Sequence, residues 1–333
     1  MQSKPSSMHT WGKLLRLALA PTAIADILAG IVVGAGGWPP TSGALWLVGA
    51  AFLIYHGAMV LNDWADRAWD AKTRADRPLP AGEVKPRTAL IVACCMFLSA
   101  PVFAGLSVAE HDTSFAAVAC VMCSMFSLLL AIAYDLGPRG AWIGPLLLAG
   151  CRAFNLSAGV FWGQSAIQSS SLSQSAENVS LGLPIAAVLA YGTYVFIVSR
   201  LGRLEDGEAS ETDEELEKLA PRYCRRLAML LAGVGSMAVL RHIFYEGELP
   251  KWEALPPLVI GCAGAFGLWK ISRRKVWERS DVIAAMGCAL RRFLIFTACV
   301  ALLNPSPTSQ VVAALILCGF PISFWLRKVF PPS

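Results

Sequence analysis

The sequence predicts an all-α protein, a polytopic bundle of transmembrane helices, from its composition, its apolar blocks and its charge distribution. Of its 333 residues, 56% are hydrophobic and only 15% are charged, which is too few charges to cover the surface of a water-soluble globule. The mean hydropathy is +0.55, and the apolar residues come in long blocks. Because about 20 such residues let a helix cross a bilayer core of ~30 Å, these blocks predict membrane-spanning helices.

Ten apolar stretches are candidates for membrane spans. The first is longer than a signal-peptide core and has no small-residue cleavage site behind it, so we interpret it as a retained helix that follows a polar tail at 1–13. The ninth carries Arg291 and Arg292 near its middle and the last is short, so we expect about nine helices, with ten as the alternative. The stretches are 14–36, 43–62, 88–109, 114–134, 141–162, 181–200, 226–243, 254–271, 282–303 and 309–326.

Basic residues fall mainly on one side of this arrangement. Most of the 28 Lys and Arg residues lie in the N-terminal tail and in alternate loops, whereas the intervening loops 37–42, 110–113, 163–180 and 304–308 contain none. The positive-inside rule then makes the basic side cytoplasmic, or the equivalent face of an organelle membrane, and favours an even number of spans. The net charge of +5 is too small to indicate a nucleic-acid partner.

The end of the second candidate span carries the strongest chemical signal. Positions 62, 66 and 70 advance by only about 40° per step around an α-helix, so Asn62, Asp66 and Asp70 share a stripe, with Asp63 beside them. Carboxylates on one stripe repel each other unless a cation lies between them. Because oxygen ligands with room for water suit Mg²⁺, we predict that these four side chains are metal ligands.

Three bases follow this acidic stripe at once. Lys72, Arg74 and Arg77 are suited to hold phosphate oxygens directly. Pro78 and Pro80 are expected to stop the helix and fold the following loop back. The alternative interpretation is that all these charges only solvate a helix end and its loop.

These residues also resemble a known family. The segment from Asn62 to Asp70 matches, with the same spacing, the N-D-x-x-D-x-x-x-D motif of the UbiA superfamily of intramembrane prenyltransferases, and 76–82 looks like its D-R-P-L-P-x-G continuation. Further segments resemble the EboC-like branch, a bacterial subgroup; they are 14–16, 25–30, 134–135 and 151–155.

The resemblance implies a fold, an activity and a set of site residues. The expected fold is a single UbiA-like transmembrane domain over 1–333, with about nine helices around a central cavity and with the loops 62–87 and 201–225 on the catalytic, cytoplasmic side. The expected activity is Mg²⁺-dependent transfer of a prenyl group from a prenyl diphosphate to an aromatic or other lipophilic acceptor. Asp63, Asp66 and Asp70 would be its catalytic acids.

The sequence departs from the family after the sixth span, where a second acidic motif, D-x-x-x-D, is expected. Here Glu205 is the candidate further metal ligand, paired with Asp206 or with Glu208 on one helical face. The alternative is a solvated acidic helix without a metal. In that case one metal remains, and Arg200 and Arg203 join the bases of the first loop in binding the diphosphate.

Polar residues inside the spans complete the set of candidates. An arginine in hydrocarbon should face a polar cavity, an anion or a partner, so Arg152, with Asn155 one turn later, is predicted to bind substrate. A structural pairing with Asp26, also mid-span, is the alternative. Arg139 lies where relatives commonly have a Lys and is a further candidate for the phosphate.

Aromatic residues lie two turns deeper on the face of the acidic stripe. Tyr55 and His56 precede Asn62 and Asp63 by seven residues, so an electron-rich ring there could shield a prenyl cation. Simple packing is the alternative for both.

The predicted function is therefore intramembrane prenyl transfer, with a prenyl diphosphate, a lipophilic acceptor and membrane lipid as partners. The alternative is a non-catalytic or transport-type membrane protein that binds a prenyl or other lipid ligand.

Overall fold

The computed structural model describes most of the chain, and the described part is built from helices and their connections. No strand occurs in it, which confirms the all-α prediction. The described ranges are 7–39, 41–137, 140–170, 182–206, 213–241, 243, 252–304 and 306–330.

The helices follow one another with short connections. Two 3-10 turns, Leu17–Leu19 and Trp252–Ala254, precede two of them. The α-helices are α1 (Ser7–Leu14), α2 (Ala20–Ala35), α3 (Ala44–Thr73), α4 (Pro86–Ser107), α5 (Phe115–Leu136), α6 (Ile143–Gln168), α7 (Gly182–Asp206), α8 (Asp213–Arg241), α9 (Leu255–Ile271), α10 (Arg279–Arg291), α11 (Phe293–Ala301) and α12 (Pro307–Val329).

Ten segments of the described chain are long and apolar enough to cross a membrane. The ninth, Arg279–Ala301, is made of α10 and α11, which meet at Arg292. The tenth is the single helix α12. The ninth and tenth stretches are thus both long enough to cross a membrane, which agrees with the even number of spans that the charge distribution favours.

Several helices extend beyond the predicted spans. Helix α3 has 30 residues and so measures about 45 Å at 1.5 Å per residue, longer than the bilayer core. The acidic stripe therefore lies on a helix that leaves the membrane. Similarly, α7 continues to Asp206 and α8 begins at Asp213, so most of the predicted loop 201–225 is helical. Helix α1 occupies residues 7–13 of the predicted polar tail.

Helix α2 is central to the bundle because it packs against α3, α6, α11 and α12. Glycines allow its backbone to approach α6 closely. A Cβ atom on Gly34 would lie 2.1 Å from the carbonyl oxygen of Val160, and one on Gly163 would lie 2.4 Å from the carbonyl oxygen of Ile31. Small residues at such positions are how transmembrane helices pack without a hydrophobic driving force between them.

We predict that Gly34→Ala lowers the free energy of unfolding by about 1–3 kcal/mol, since the added methyl forces α2 and α6 apart. Unfolding by SDS in mixed micelles would measure this. Gly233→Ala in α8 is the control, because a Cβ there meets nothing within 4 Å. Equal destabilisation by the two substitutions would contradict the proposed importance of the α2–α6 contact.

Candidate functional site

A cavity of about 890 Å³ lies within the helix bundle. Its walls come from α2, α3, α5, α6, α7, α10, α11 and α12 and from the turn before α2. The deeper lining is mainly apolar and aromatic, with Tyr55, Leu148, Val195 and Phe293 among its residues. This central cavity has the size of a small-molecule site, which is typically ~300–1,000 Å³.

Basic side chains dominate the charged part of the cavity lining. Within the described chain, no Asp or Glu is among the lining residues. An excess of positive charge around a low-dielectric cavity attracts anions. The lining cations are Arg16, Arg74, Arg152, Arg203, Arg291, Arg327 and Lys328.

The acidic stripe lies at the end of α3, beside this cavity. Asn62 lines the cavity and donates from Nδ2 to Oδ1 of Asp135, at 3.1 Å. Asp63 is buried, and its Oδ1 accepts from Nη2 of Arg16 at 2.7 Å. Asp66 is half-buried on the same stripe. The helix thus aligns these oxygens as the sequence predicts, with the carboxylates behind the cavity wall.

Arg77 joins two acids of the stripe. Its Nη1 lies 2.7 Å from Oδ2 of Asp70 and 3.5 Å from Oδ1 of Asp63, and all three side chains are buried. The turn after α3 makes this possible, because Pro78 accepts backbone hydrogen bonds from Glu83 at 3.0 Å and from the following residue at 3.3 Å. The loop therefore folds back under α3, as the two prolines predict.

The oxygen donors of the stripe suit Mg²⁺, which prefers carboxylate and amide oxygens. Within the described ranges, however, no three His, Cys, Asp or Glu side chains form a ready metal cluster. Asp63 and Asp70 are instead paired with arginines, Asp63 with Arg16 and Asp70 with Arg77. The donor chemistry fits the metal, and a divalent cation at these carboxylates competes with the two arginines for the same oxygens.

Arg16 is a site residue that the sequence indicates only through the family resemblance of residues 14–16. It lines the cavity and is the single non-glycine residue with a positive φ in the described chain, at 50°. Such left-handed backbone is uncommon outside glycine and is concentrated at functional sites. Arg16 lies in the short connection between α1 and the turn Leu17–Leu19. In the sequence, the signal for this site residue is a basic side chain near the start of the first apolar stretch, 14–36.

Arg152 and Asn155 converge on Asp26 from α6. Arg152 Nε lies 3.1 Å from Oδ2 of Asp26, and Asn155 Nδ2 donates to the same oxygen at 3.2 Å. Tyr191 Oη donates to Oδ1 of Asp26 at 2.6 Å and accepts from Arg152 at 2.8 Å. The structural pairing considered from the sequence is therefore present. Arg152 also lines the cavity, so its predicted contact with substrate remains a prediction beside this structural role.

The two aromatic candidates on α3 separate. Tyr55 lines the cavity, with its ring centroid 5.4 Å from the guanidinium carbon of Arg152. His56 is buried, and its Nδ1 lies 2.5 Å from the carbonyl oxygen of Leu15. Its ring also contacts Phe52, at 4.2 Å between centroids. Tyr55 thus faces the cavity, whereas His56 packs against the segment around Leu15.

The predicted phosphate-binding bases also lie in different surroundings. Arg74 lines the cavity, and Lys72 is exposed at the end of α3. Arg200 is buried, contacts the carbonyl oxygen of Ala141, and lies over the ring of Trp142 at 4.4 Å. Arg203, one turn further along α7, lines the cavity instead.

Two candidates cannot be placed. Arg139 lies outside the described residues, and the side chain of Glu205 does as well, although its backbone belongs to α7. Their predicted roles stay predictions.

Three cations that line the cavity were not predicted as site residues; they are Arg291, Arg327 and Lys328. The sequence does show a charged pair inside the ninth stretch and a basic end to the tenth.

We predict that Arg77→Met lowers the free energy of unfolding by about 3–5 kcal/mol, because it leaves the buried carboxylate of Asp70 without its guanidinium. Adding Asp70→Asn should restore part of the loss. SDS unfolding measures both, with Arg87→Met, at an exposed position on α4, as the control. A loss no larger than that of the control would show that this ion pair does not hold the loop.

A similar test applies to the network in the membrane interior. Arg152→Met is expected to lower the free energy of unfolding by about 3–5 kcal/mol, since Asp26 is fully buried and loses its cation. The double variant Arg152→Met, Asp26→Asn should be more stable than the single variant. Unchanged stability of Arg152→Met would leave substrate binding as the sole role of this arginine.

Sequence comparison agrees with these observations. A 4-hydroxybenzoate octaprenyltransferase from Aeromonas salmonicida is 32% identical over 266 residues, which cover 79% of this chain and 81% of the relative. The bacteriochlorophyll synthase 33 kDa chain of Cereibacter sphaeroides is 27% identical, covering 65% and 68%. A digeranylgeranylglyceryl phosphate synthase from Methanothrix thermoacetophila is 34% identical over 94 residues, 28% of this chain and 35% of that protein.

Solved structures share the fold. A UbiA homologue from Archaeoglobus fulgidus bound to DMAPP and Mg²⁺ aligns with a TM-score of 0.58 and 16% identity, covering 94% of this chain and 99% of that one. The apo structure of a UbiA homologue from Aeropyrum pernix K1 aligns with a TM-score of 0.55 and 17% identity, covering 92% and 98%. The UbiA prenyltransferase family model matches residues 23–287. This multi-pass membrane protein therefore belongs to the UbiA prenyltransferase family.

Proposed function

We propose that this protein transfers a prenyl group from a prenyl diphosphate to a lipophilic or aromatic acceptor inside the membrane. The central cavity is the observation that carries the proposal. It combines an apolar, aromatic interior with the lining cations Arg74 and Arg203, and it lies beside the acidic stripe of α3. An isoprenoid tail with a diphosphate head has the same division between apolar and anionic parts.

The reaction breaks the bond between the allylic carbon and the bridging oxygen of the diphosphate. The oxygen keeps the electron pair and leaves as diphosphate, while the acceptor's nucleophilic atom bonds to the allylic carbon and loses a proton. Cations stabilise the charge that develops on the leaving group. Arg74 and Arg203 line the cavity and are proposed to bind the diphosphate. We propose Lys72, Arg77, Arg139 and Arg200 as further bases for the same role.

Mg²⁺ is the proposed cofactor, with Asn62, Asp63, Asp66 and Asp70 as its ligands and Glu205 as a further one. When bound, the ion neutralises charge on the departing diphosphate. The oxygen-only donor set supports this proposal. In the same site, Arg16 and Arg77 orient Asp63 and Asp70 through their ion pairs.

The apolar half of the cavity serves the prenyl group. Tyr55 and Phe293 both line it, and electron-rich rings stabilise a nearby allylic cation. The guanidinium carbon of Arg152 lies 5.4 Å from the ring centroid of Tyr55 and 5.3 Å from that of Phe293. Asn155 donates a hydrogen bond to Asp26, the carboxylate with which Arg152 pairs. Apolar walls also exclude water, which would otherwise capture the cation.

The relatives support the reaction class. One is named as a 4-hydroxybenzoate octaprenyltransferase and another as a digeranylgeranylglyceryl phosphate synthase, and an Archaeoglobus fulgidus homologue has been solved with GPP and Mg²⁺. We further propose that residues 1–333 form one domain of the EboC-like branch, located in a bacterial inner membrane with the basic ends of α3 and α7 in the cytoplasm. The motif segments and the one-sided charge support these finer assignments.

A second function is a non-catalytic carrier that binds a prenyl or other lipid ligand. The arginine pairs favour it, because Asp63 and Asp70 are neutralised without any metal. A carrier would bind prenyl diphosphates and leave them intact.

We predict Mg²⁺-dependent release of diphosphate from geranyl, farnesyl or geranylgeranyl diphosphate by the purified protein. The double variant Asp66→Asn, Asp70→Asn keeps the side-chain shapes but removes the carboxylates, so release should fall by at least 100-fold. Asp112→Asn, an exposed acid in the connection between α4 and α5 on the face opposite the acidic stripe, is the control.

Binding measurements separate the two functions. Prenyl diphosphates that bind to the wild type and are not cleaved with any acceptor would establish the carrier. If no prenyl diphosphate binds at all, the assigned substrate class is wrong.

A further inference from the structure

A second group of cations lies on the cavity wall formed by α10 and α12. Arg291 ends α10, and Arg327 and Lys328 lie in the last turn of α12; all three line the cavity. Helix α12 packs chiefly against α2 and α11, and α10 against α7. The acidic stripe instead lies on α3, which packs chiefly against α4 and α5. The two charged groups therefore belong to different walls.

Two neighbouring arginines at the break between α10 and α11 have different surroundings. Arg292 is held by backbone, since its Nε donates to the carbonyl oxygen of Gly264 at 2.7 Å and its Nη1 to that of Cys288 at 3.0 Å. Arg291 lines the cavity instead. The hydrogen bonds of Arg292 thus fix the break between α10 and α11, and Arg291 lies on the cavity wall.

The end of α12 is also held in place. Ser323 Oγ donates to the carbonyl oxygen of Ala18 at 2.7 Å, which ties α12 to the turn that follows Arg16. The ring of Phe330 packs against Gly12 of α1, where a Cβ atom would lie only 2.2 Å from it. Lys328 Nζ lies 4.6 Å from the ring centroid of Phe324. Anchored helix ends keep these bases at the cavity.

Arg291 and Lys328 are exposed and Arg327 is half-buried, so these three like charges are partly solvated and open to a ligand. Two other lining cations already have carboxylate partners, Arg16 with Asp63 and Arg152 with Asp26. For the group on α10 and α12, no ion pair to a carboxylate is present within the described chain. The group therefore presents positive charge to the cavity without a carboxylate partner, which suits the binding of an anionic ligand.

We infer that Arg291, Arg327 and Lys328 form a subsite for an anionic group, a carboxylate or a phosphate, on the prenyl acceptor. This inference rests on the proposed function. Apolar residues adjoin the three bases and suit the lipophilic body of such an acceptor; they are Met286, Leu290, Leu294, Phe320 and Phe324. The acceptor's acid is held by bases of α10 and α12, while Arg74 and Arg203 hold the diphosphate, so different side chains bind the two reactants.

Matched acceptors test the subsite in phosphatidylcholine nanodiscs, where no anionic lipid competes. The carboxylate arm compares 4-hydroxybenzoate with its methyl ester. The phosphate arm compares an isoprenyl glyceryl phosphate with the same ether lacking phosphate. For Arg291→Gln, Arg327→Gln, the KM of the anionic member of at least one pair should rise tenfold or more, because the variant loses the charged donors that bind the anion.

The same double variant should leave the KM for the prenyl diphosphate and the rate with the neutral acceptors within about twofold, which also shows that it is folded. Lys328→Gln should raise the same KM by a smaller factor. Arg279→Gln removes an equal charge from the exposed start of α10 and is the control. A rise in the KM for the prenyl diphosphate, or equal effects on anionic and neutral acceptors, would overturn the subsite.

Equilibrium dialysis with the labelled acids distinguishes failure of the subsite from failure of the proposed function. If the wild type releases no diphosphate, the proposed reaction is wrong, yet binding of an acid that is lost in the double variant and kept in Arg279→Gln still establishes the anion site. If neither acid binds the wild type more tightly than its neutral counterpart, the inference is wrong even where prenyl transfer occurs.

Discussion

The pairing of buried charges is the constraint on which the rest of this structure depends. A membrane interior offers no water to solvate an ion, so an ionised side chain there needs a partner or a polar cavity. Asp26 and Arg152 satisfy each other across two helices, with Tyr191 and Asn155 completing the hydrogen bonds. Because these partners come from α2, α6 and α7, the network fixes how three helices meet around the cavity.

Close helix packing makes this pairing possible. Gly30 and Gly159 face each other at the α2–α6 contact, where a Cβ atom on Gly159 would lie 2.6 Å from the carbonyl oxygen of Ile27. Larger side chains would hold the two backbones apart and would carry Arg152 away from Asp26. The glycines therefore act on the site indirectly, through the distance between two helices.

The same constraint divides the charges of the site. Ion pairs with arginines keep Asp63 and Asp70 behind the cavity wall, whereas the cavity itself retains an excess of positive charge. A site of this kind attracts anions before any metal is considered. The arginines that neutralise the acids also set the condition for a metal, because both compete for the same carboxylate oxygens.

The sequence alone determined the properties that depend on local spacing. Hydropathy blocks predicted ten candidate stretches for the spans, and helical periodicity placed Asn62, Asp66 and Asp70 on one stripe, because residues four apart on a helix always share a face. Only the tertiary structure decided which distant charges meet: Arg16 reaches Asp63 across 47 positions, and Arg152 reaches Asp26 across 126. Those contacts depend on how whole helices pack, which no local pattern specifies. For the same reason, the cations at the ends of α10 and α12 became part of the cavity only in the folded bundle.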